Sequence, residues 1–286
     1  MILTNSSAAE VGTSNATAIA SSTALFRQFM CYLSATISTA ITGTTGLIKN
    51  GIGGLTLSGI CNYTGTTQIN QGTLTVTSAS TLNGVISGAG SLSKTGTAIL
   101  TIGGNNTYSG GTSFVSSGLA TYITYNSSNA FGTGLFTVSN AAGRIDTGGN
   151  VTLPNNFLIN STSLQYRTTL GNTITITGNI AGTGGINKTG NGLLDLQGTL
   201  TYTGGTTISA GTIRAYKTVG ASTATATFGA GLSVSFNVSP PSGTTTFRFF
   251  QGSFNLSYGA VTLVGVPVGT TATWTAATST LAVTVP

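Results

Sequence analysis

Short runs of alternating apolar and polar residues recur along most of the chain. In LTLSG, from Leu55, and in ILTIGG, from Ile99, apolar residues alternate with Thr, Ser or Gly. A period of two is typical of a β-strand with one buried and one solvated face. Gly and Asn separate the runs, and both residues adopt the positive φ that tight turns require. The pattern predicts many short strands joined by turns.

Three segments align as copies of one repeat that begin at Lys49, Lys94 and Lys188. Each copy has a glycine two residues after the lysine, a tyrosine fourteen residues after it, and a second glycine two residues further on. We assign a structural role in the repeat to Lys49, Gly51, Tyr63, Gly65, Lys94, Gly96, Tyr108, Gly110, Lys188, Gly190, Tyr202 and Gly204. We expect the tyrosine to stack on a neighbouring coil and the lysine to lie along a turn.

A single alternating strand cannot bury its apolar face, so repeated strands of this kind favour a solenoid. Stacked coils about 4.8 Å apart align apolar side chains into interior columns and pair the backbone groups of neighbouring coils. Residues 131–178 have the same short strands and turns without a clear copy of the repeat. We therefore predict an all-β solenoid in which this interval forms divergent coils.

The repeat resembles the autotransporter-associated, or passenger-associated, β-strand repeat of bacterial surface proteins. The resemblance is carried by GAGSLSKTGTAILTIGGNNTYSGGTSF, from Gly88, and by GTGGINKTGNGLLDLQGTLTYTGGTTISAGTI, from Gly182, and it covers about residues 43–215. It implies a right-handed parallel β-helix on an exported adhesin or surface fibre. Similar repeats also occur in fibre-like proteins of phages and large viruses.

The two ends of the chain differ from the repeats. We predict that residues 1–42 form a cap or attachment segment, residues 43–215 the β-helix, and residues 216–286 a C-terminal β-rich domain, sandwich-like or capping. Apolar residues spaced alternately by four and three over residues 16–42 are typical of a helix with a coiled-coil seam, although Leu33 onwards also suits strand alternation. No transmembrane segment is predicted there, because Arg27 and Gln28 would interrupt it.

Composition and charge limit the function classes. Charged residues make up 4% of the chain, and its formal charge of +6 comes from scattered cations, so we expect no nucleic-acid partner. The first residues lack the basic and apolar regions of a secretory signal. We therefore expect either that an export signal has been removed or that the protein reaches the outside without one.

Candidate chemistry is sparse. There is no His, and the acids are Glu10, Asp146 and Asp195, with Asp195 expected on a solvated face. Without convergent titratable groups we predict no enzyme, no catalytic residues, no cofactor and no metal site. Cys31 and Cys61 are expected to be small buried apolar residues.

Two functions fit these observations. The first is a structural protein of an extracellular or particle surface, such as a virion or appendage component, that mediates assembly or attachment. Its partners would be other structural subunits, either copies of itself or capsid or appendage proteins. The alternative is an adhesin-type binding module that recognises a glycan or a host-cell surface.

Overall fold

The computed structural model describes residues 9–10 and 26–215, together with seven strands between residues 225 and 285. All regular elements of this described part are strands, and it contains no helix long and apolar enough to cross a membrane. Up to the end of the third repeat the strands are β1 (Ala9–Glu10), β2 (Phe26–Met30), β3 (Ala35–Ile37), β4 (Ile41–Gly43), β5 (Gly46–Asn50), β6 (Gly54–Leu57), β7 (Cys61–Tyr63), β8 (Thr67–Ile69), β9 (Thr73–Val76), β10 (Ser80–Leu82), β11 (Ile86–Ser87), β12 (Ser91–Lys94), β13 (Leu100–Ile102), β14 (Thr112–Ser116), β15 (Tyr122–Tyr125), β16 (Phe136–Asn140), β17 (Gly143–Thr147), β18 (Val151–Leu153), β19 (Phe157–Ser161), β20 (Ser163–Thr168), β21 (Thr173–Ile176), β22 (Ile180–Ala181), β23 (Gly185–Thr189), β24 (Leu193–Leu196), β25 (Thr206–Ile208) and β26 (Thr212–Ala215). They are followed by β27 (Thr225–Phe228), β28 (Leu232–Ser235), β29 (Gly243–Arg248), β30 (Asn255–Tyr258), β31 (Val261–Val264), β32 (Thr271–Thr275) and β33 (Thr280–Val285).

Successive strands visit three faces in turn, which makes the fold a β-solenoid. Face 1 consists of the sheet β1-β2-β5-β8-β11 and, in later coils, of the sheet β18-β21-β24-β26. Face 2 is the eight-stranded sheet from β3 to β22, and face 3 consists of the pair β4-β7 followed by the nine-stranded sheet from β10 to β30. The strands of each face pair in parallel, as β6 and β9 do. The predicted all-β solenoid is confirmed.

The interior is filled by columns of side chains that lie in register from coil to coil. On face 2 one column runs through register partners that are all buried: Ala35, Leu55, Leu74, Leu92, Thr112, Phe136, Phe157 and Ile180. Residues between the column positions face outwards and are mostly Thr and Ser, for example Thr56 and Thr75. The alternation seen in the sequence therefore corresponds to the inside and the outside of each coil.

The sequence repeat and the structural coil have different lengths. Register partners on face 2 are 18 residues apart at Leu74 and Leu92 and 24 apart at Thr112 and Phe136, whereas Lys49 and Lys94 are 45 apart. The 45 residues from Lys49 to Lys94 thus cover two full coils and the strand of one further face. As a result, Lys49 lies in β5 on face 1, Lys94 in β12 on face 2, and Lys188 in β23 on face 3.

The divergent interval continues the same solenoid, as predicted. Strands β16, β17, β19, β20 and β21 each pair in parallel with the coil before and the coil after, and β18 pairs in parallel with β21 of the next coil. Five buried aromatic rings contact one another across the interior here, with centroids 4.5 to 6.1 Å apart: Tyr125, Phe131, Phe136, Phe157 and Tyr166. Large rings replace the Leu and Ile of the repeats, so these coils keep a filled core without the repeat pattern.

The helix predicted over residues 16–42 is corrected from residue 26 onwards, while residues 16–25 lie outside the described part. Phe26–Met30, Ala35–Ile37 and Ile41–Gly43 are strands that pair with the next coil. The reason is that Ala35, Ile37 and Ile41 fill the interior at strand spacing, whereas a helical seam needs a second helix to cover it.

Beyond residue 215, pairing of the described strands continues before it changes direction. Strands β27 and β30 extend face 3 in parallel, and β28 pairs in parallel with β31. Strand β33 pairs antiparallel with both β29 and β32. The division into three domains at residues 43 and 215 stays a prediction.

Stacking this close requires glycine where turns meet. A Cβ built on Gly178 would lie 1.9 Å from the Asn155 carbonyl oxygen, whereas one on exposed Gly148 would meet nothing within 4 Å. We expect Gly178→Ala to lower the free energy of unfolding by more than about 2 kcal/mol, because two backbones must separate. Gly148→Ala is the control and should change it by less than about 1 kcal/mol. Urea unfolding measures both, and equal effects would contradict this account of coil stacking.

Candidate functional site

The repeat lysines occupy interior columns. In register, Lys49 follows Phe29, Lys94 lies between Val76 and Phe114, and Lys188 follows Tyr166. All three lysine residues are 0% exposed. A cation at such a position needs polar partners, because burying an unpaired charge is very costly.

Turn carbonyls supply those partners. The Lys49 ammonium donates to the carbonyl oxygens of Asn50 at 3.0 Å and Gly51 at 2.7 Å, and to Gln71 of the next coil at 3.1 Å. The Lys188 ammonium contacts equivalent atoms: Thr189 and Gly190 at 2.6 Å each, and Ala210 at 3.5 Å. Lys94 donates to the carbonyl of Thr95. Each lysine therefore binds a carbonyl of the turn that follows it, and Lys49 and Lys188 also bind a carbonyl in a turn of the next coil.

The glycine two residues after each lysine makes this arrangement possible. Gly51, Gly96 and Gly190 have φ of 75°, 74° and 69°, a backbone conformation that glycine adopts without strain. A Cβ on Gly51 would also lie 2.4 Å from the Cys31 carbonyl oxygen of the preceding coil. The Lys-x-Gly spacing thus describes a left-handed turn that is bound by its own lysine.

Burial changes the ionisation of these lysines. Desolvation lowers the pKa of Lys94 and of Lys188 to about 8, and it also lowers the pKa of Lys49. The charged form is thus less stable in the folded chain than in water.

Each repeat tyrosine is buried, and its hydroxyl makes the same hydrogen bond in all three copies. Its hydroxyl pairs with the hydroxyl of the threonine four residues later, at 2.7 Å for Tyr63 and Thr67 and at 2.5 Å for the two later copies, Tyr108 with Thr112 and Tyr202 with Thr206. The pair satisfies both hydroxyls inside the core. Burial raises the pKa of Tyr202 to about 12.

The glycine that follows each tyrosine lies against the backbone of another coil. A Cβ on Gly65 would meet the Gly46 nitrogen at 2.3 Å, and one on Gly204 would meet the Gly184 carbonyl carbon at 2.3 Å. Gly110 is similarly close to the carbonyl carbon of Gly90, at 2.6 Å. All twelve repeat positions therefore lie in the interior or at the coil-to-coil backbone contacts.

The two described aspartates lie on different faces, each with arginine. On face 1, Asp195 is 2% exposed because Arg214 of the next coil binds it with two hydrogen bonds of 2.9 and 2.8 Å and Gln197 adds a third. These contacts lower the pKa of Asp195, the Arg214 hydrogen bonds most of all. Asp195 alternates with buried Leu194 and Leu196, so it points outwards as expected but is covered rather than solvated.

On face 3, Asp146 lies between two arginines. The Arg167 Nη1 atom donates to Asp146 Oδ2 at 3.2 Å, and Arg144 Nε lies 3.1 Å from Oδ1 without the alignment of a hydrogen bond. Asp146 is 8% exposed, and this burial raises its pKa despite both neighbours. The Arg144 guanidinium lies 3.7 Å above the ring centroid of Tyr122.

Other candidate chemistry is structural where the structure describes it. Cys31 and Cys61 are both fully buried thiols, and burial raises the pKa of Cys31. Within residues 9–10, 26–215 and the later strands, no group of three His, Cys, Asp or Glu side chains could hold a metal ion.

Sequence reasoning missed several functional positions. The threonine partners of the tyrosines could have been found, because Tyr-x-Gly-x-Thr occurs in all three copies. So could Gly72 and Gly211, which follow the lysine-bound carbonyls of the next coil at φ of 68° and 76°. The grouping of Tyr122, Arg144 and Arg167 gives no local sequence signal, because coil stacking brings it together.

These features define a class of repeat solenoid in which each repeat supplies a buried lysine, a tyrosine–threonine pair and close-packed glycines. Residues 47–76, 92–118 and 186–215 match the passenger-associated-transport-repeat family. Three segments of the chain thus match this repeat model, which agrees with the resemblance seen in the sequence. Searches of curated proteins and of solved structures found no significant match.

The buried lysines predict an unusual pH dependence of stability. Folded Lys94 and Lys188 lose their protons near pH 8, whereas unfolded lysine keeps its proton to about pH 10.4. The unfolded chain binds more protons in this window, so each lysine should raise the free energy of unfolding by up to about 1.4 kcal/mol per pH unit. Above about pH 10 the trend should reverse, because unfolded tyrosines ionise while buried Tyr202 does not. Urea unfolding across this pH range measures both the rise and the fall of the free energy of unfolding.

Two variants test the origin of this slope. Lys94→Met and Lys188→Met should each flatten the rise above pH 8, because the titrating group is gone. Arg214→Gln removes a cation whose side chain is 51% exposed and should leave the rise unchanged. An undiminished slope in both methionine variants would refute the assignment.

The tyrosines provide a matched pair of substitutions. Tyr202→Phe should lower the free energy of unfolding by about 1 kcal/mol, because the Thr206 hydroxyl loses its hydrogen-bond partner inside the core. Tyr166→Phe should be neutral or stabilising, because the buried Tyr166 hydroxyl has no hydrogen-bond partner among the described residues. Chemical unfolding of both variants checks this, and the opposite order of stabilities would be inconsistent with the proposed role of the pair.

Proposed function

We propose that this protein is a non-enzymatic structural element of an exported or cell-surface protein, in which the solenoid is a rigid spacer. The observation that carries this proposal is the use of the repeated residues. Lysine, tyrosine and glycine of each copy all serve the interior and the contacts between coils. The recurring residues therefore maintain a scaffold. Passenger-associated repeats imply a secreted or cell-surface protein.

The absence of enzymatic activity is part of this proposal. The sequence has no His, and its two aspartates lie on different faces, each bound to arginine. A hydrolase of the two-carboxylate type needs both groups on either side of one bond. Further structural subunits, including other copies of this chain, are its proposed partners.

A second candidate is an adhesin-type module that recognises a glycan or host-cell surface. The observation that favours it is the arginine pair with Tyr122 on face 3, which lies outside the three matched segments, with both arginines in the divergent coils. In this version the same scaffold presents one binding surface. The repeat match supports a cell surface, and it lends no support to a virus particle.

Location and shape test the proposal together. The nine-stranded sheet of face 3, at about 4.8 Å between strands, is about 40 Å long, which predicts an elongated particle. Small-angle scattering of the purified chain should show this rod. Protease treatment of intact source cells should remove the protein, while a cytoplasmic marker survives as control. A compact sphere, protection from protease, or antibody labelling of virus particles instead of cells would contradict the proposal.

A further inference from the structure

The solvent-facing positive charge of the described solenoid comes from arginine. Lys49, Lys94 and Lys188 are buried and bound to carbonyls. The side chains of Arg144, Arg167 and Arg214 are instead 20%, 57% and 51% exposed. Only these arginines, among side chains that the structure describes, can offer a cation to a ligand.

The three arginines are not equivalent. Arg214 and Asp195 form a one-to-one pair with two hydrogen bonds, so their charges cancel. Arg144 and Arg167 share the single carboxylate of Asp146, which leaves one unmatched positive charge on face 3.

The unmatched charge lies on an ordered surface. Tyr122, Arg144, Gln165 and Asn187 are register partners in four successive coils, and Thr124, Asp146, Arg167 and Thr189 form a parallel row beside them. Both rows alternate with interior residues and therefore face outwards. The Tyr122 ring orients the Arg144 guanidinium, so less freedom is lost when a ligand binds.

We propose that this surface of face 3 binds an anionic polysaccharide, with a carboxylate of an acidic sugar at Arg144 and Arg167. A guanidinium has five N–H donors and matches a carboxylate in two-point fashion. Arg167 directs one bond to Asp146 and leaves more than half of its side chain exposed. This assignment rests on the surface location proposed above.

The composition of the surface selects a polysaccharide over other polyanions. Nucleic acids and anionic membranes are held by several cations, and this patch has one in excess. Its remaining half-buried side chains, Tyr122, Thr124 and Asn187, supply a phenol, a hydroxyl and an amide, which suit sugar hydroxyl groups, whereas Gln165 is buried. The rows run along the stacking direction for about 14 Å, a length that suits several sugar units of a linear chain.

The test measures binding of the full chain to polygalacturonate by calorimetry, with dextran as the neutral polymer. Arg144→Gln and Arg167→Gln should each weaken binding about tenfold or more. Arg144→Lys should bind with an affinity between those of the glutamine variants and the original chain, because lysine keeps the charge but lacks the planar guanidinium contact. Arg214→Gln is the matched control and should bind unchanged. Asp146→Asn should bind more tightly, because a competing carboxylate is removed while the side-chain shape is kept.

Several results would overturn the proposal: no binding by the original chain, equal weakening by Arg214→Gln, weaker binding by Asp146→Asn, or tighter binding to oligothymidylate or phosphatidylglycerol vesicles. Thermal unfolding of every variant separates lost binding from lost folding. The protease experiment on intact cells uses neither polysaccharide nor variants, so failure of the proposed surface location can be distinguished from failure of the proposed polysaccharide binding.

Discussion

Parallel hydrogen bonding between successive coils is the constraint on which the rest of this molecule depends. It holds neighbouring strands about 4.8 Å apart on every face, and every turn must fit the same spacing. Side chains at the corners then have no room wherever two backbones meet. The glycines at these points, such as Gly178 against Asn155, follow from the stacking distance rather than from any local need for flexibility.

Close stacking also explains why polar residues belong to the interior of this solenoid. Left-handed turns such as the one at Gly51 direct carbonyl oxygens inwards, where water cannot reach them. A lysine from the adjoining strand satisfies these acceptors, and a tyrosine–threonine pair does the same for hydroxyls. The energetic consequence is a buried cation whose proton is held less tightly than in water.

The separation between scaffold and surface is the functional consequence of this design. The residues that recur in every copy serve the interior and the contacts between coils, so a specific surface is built from positions that do not recur. The divergent coils meet that condition. There the core is filled by aromatic rings such as Phe136 and Phe157, and the outer positions hold Arg144 and Arg167, next to Tyr122 of the preceding coil.

Alternation of Leu55 and Leu57 with polar residues was enough to determine strands, because inside and outside in a β-coil follow a period of two, and the spacing of lysine, glycine and tyrosine located the three repeats. The tertiary structure alone decided that a 45-residue repeat covers two coils and one face, since coil length depends on how turns stack. It also decided the interior position of Lys49. The pairing of Asp146 with Arg167 and the stacking of Arg144 on Tyr122 depend on contacts between coils, which no local pattern encodes.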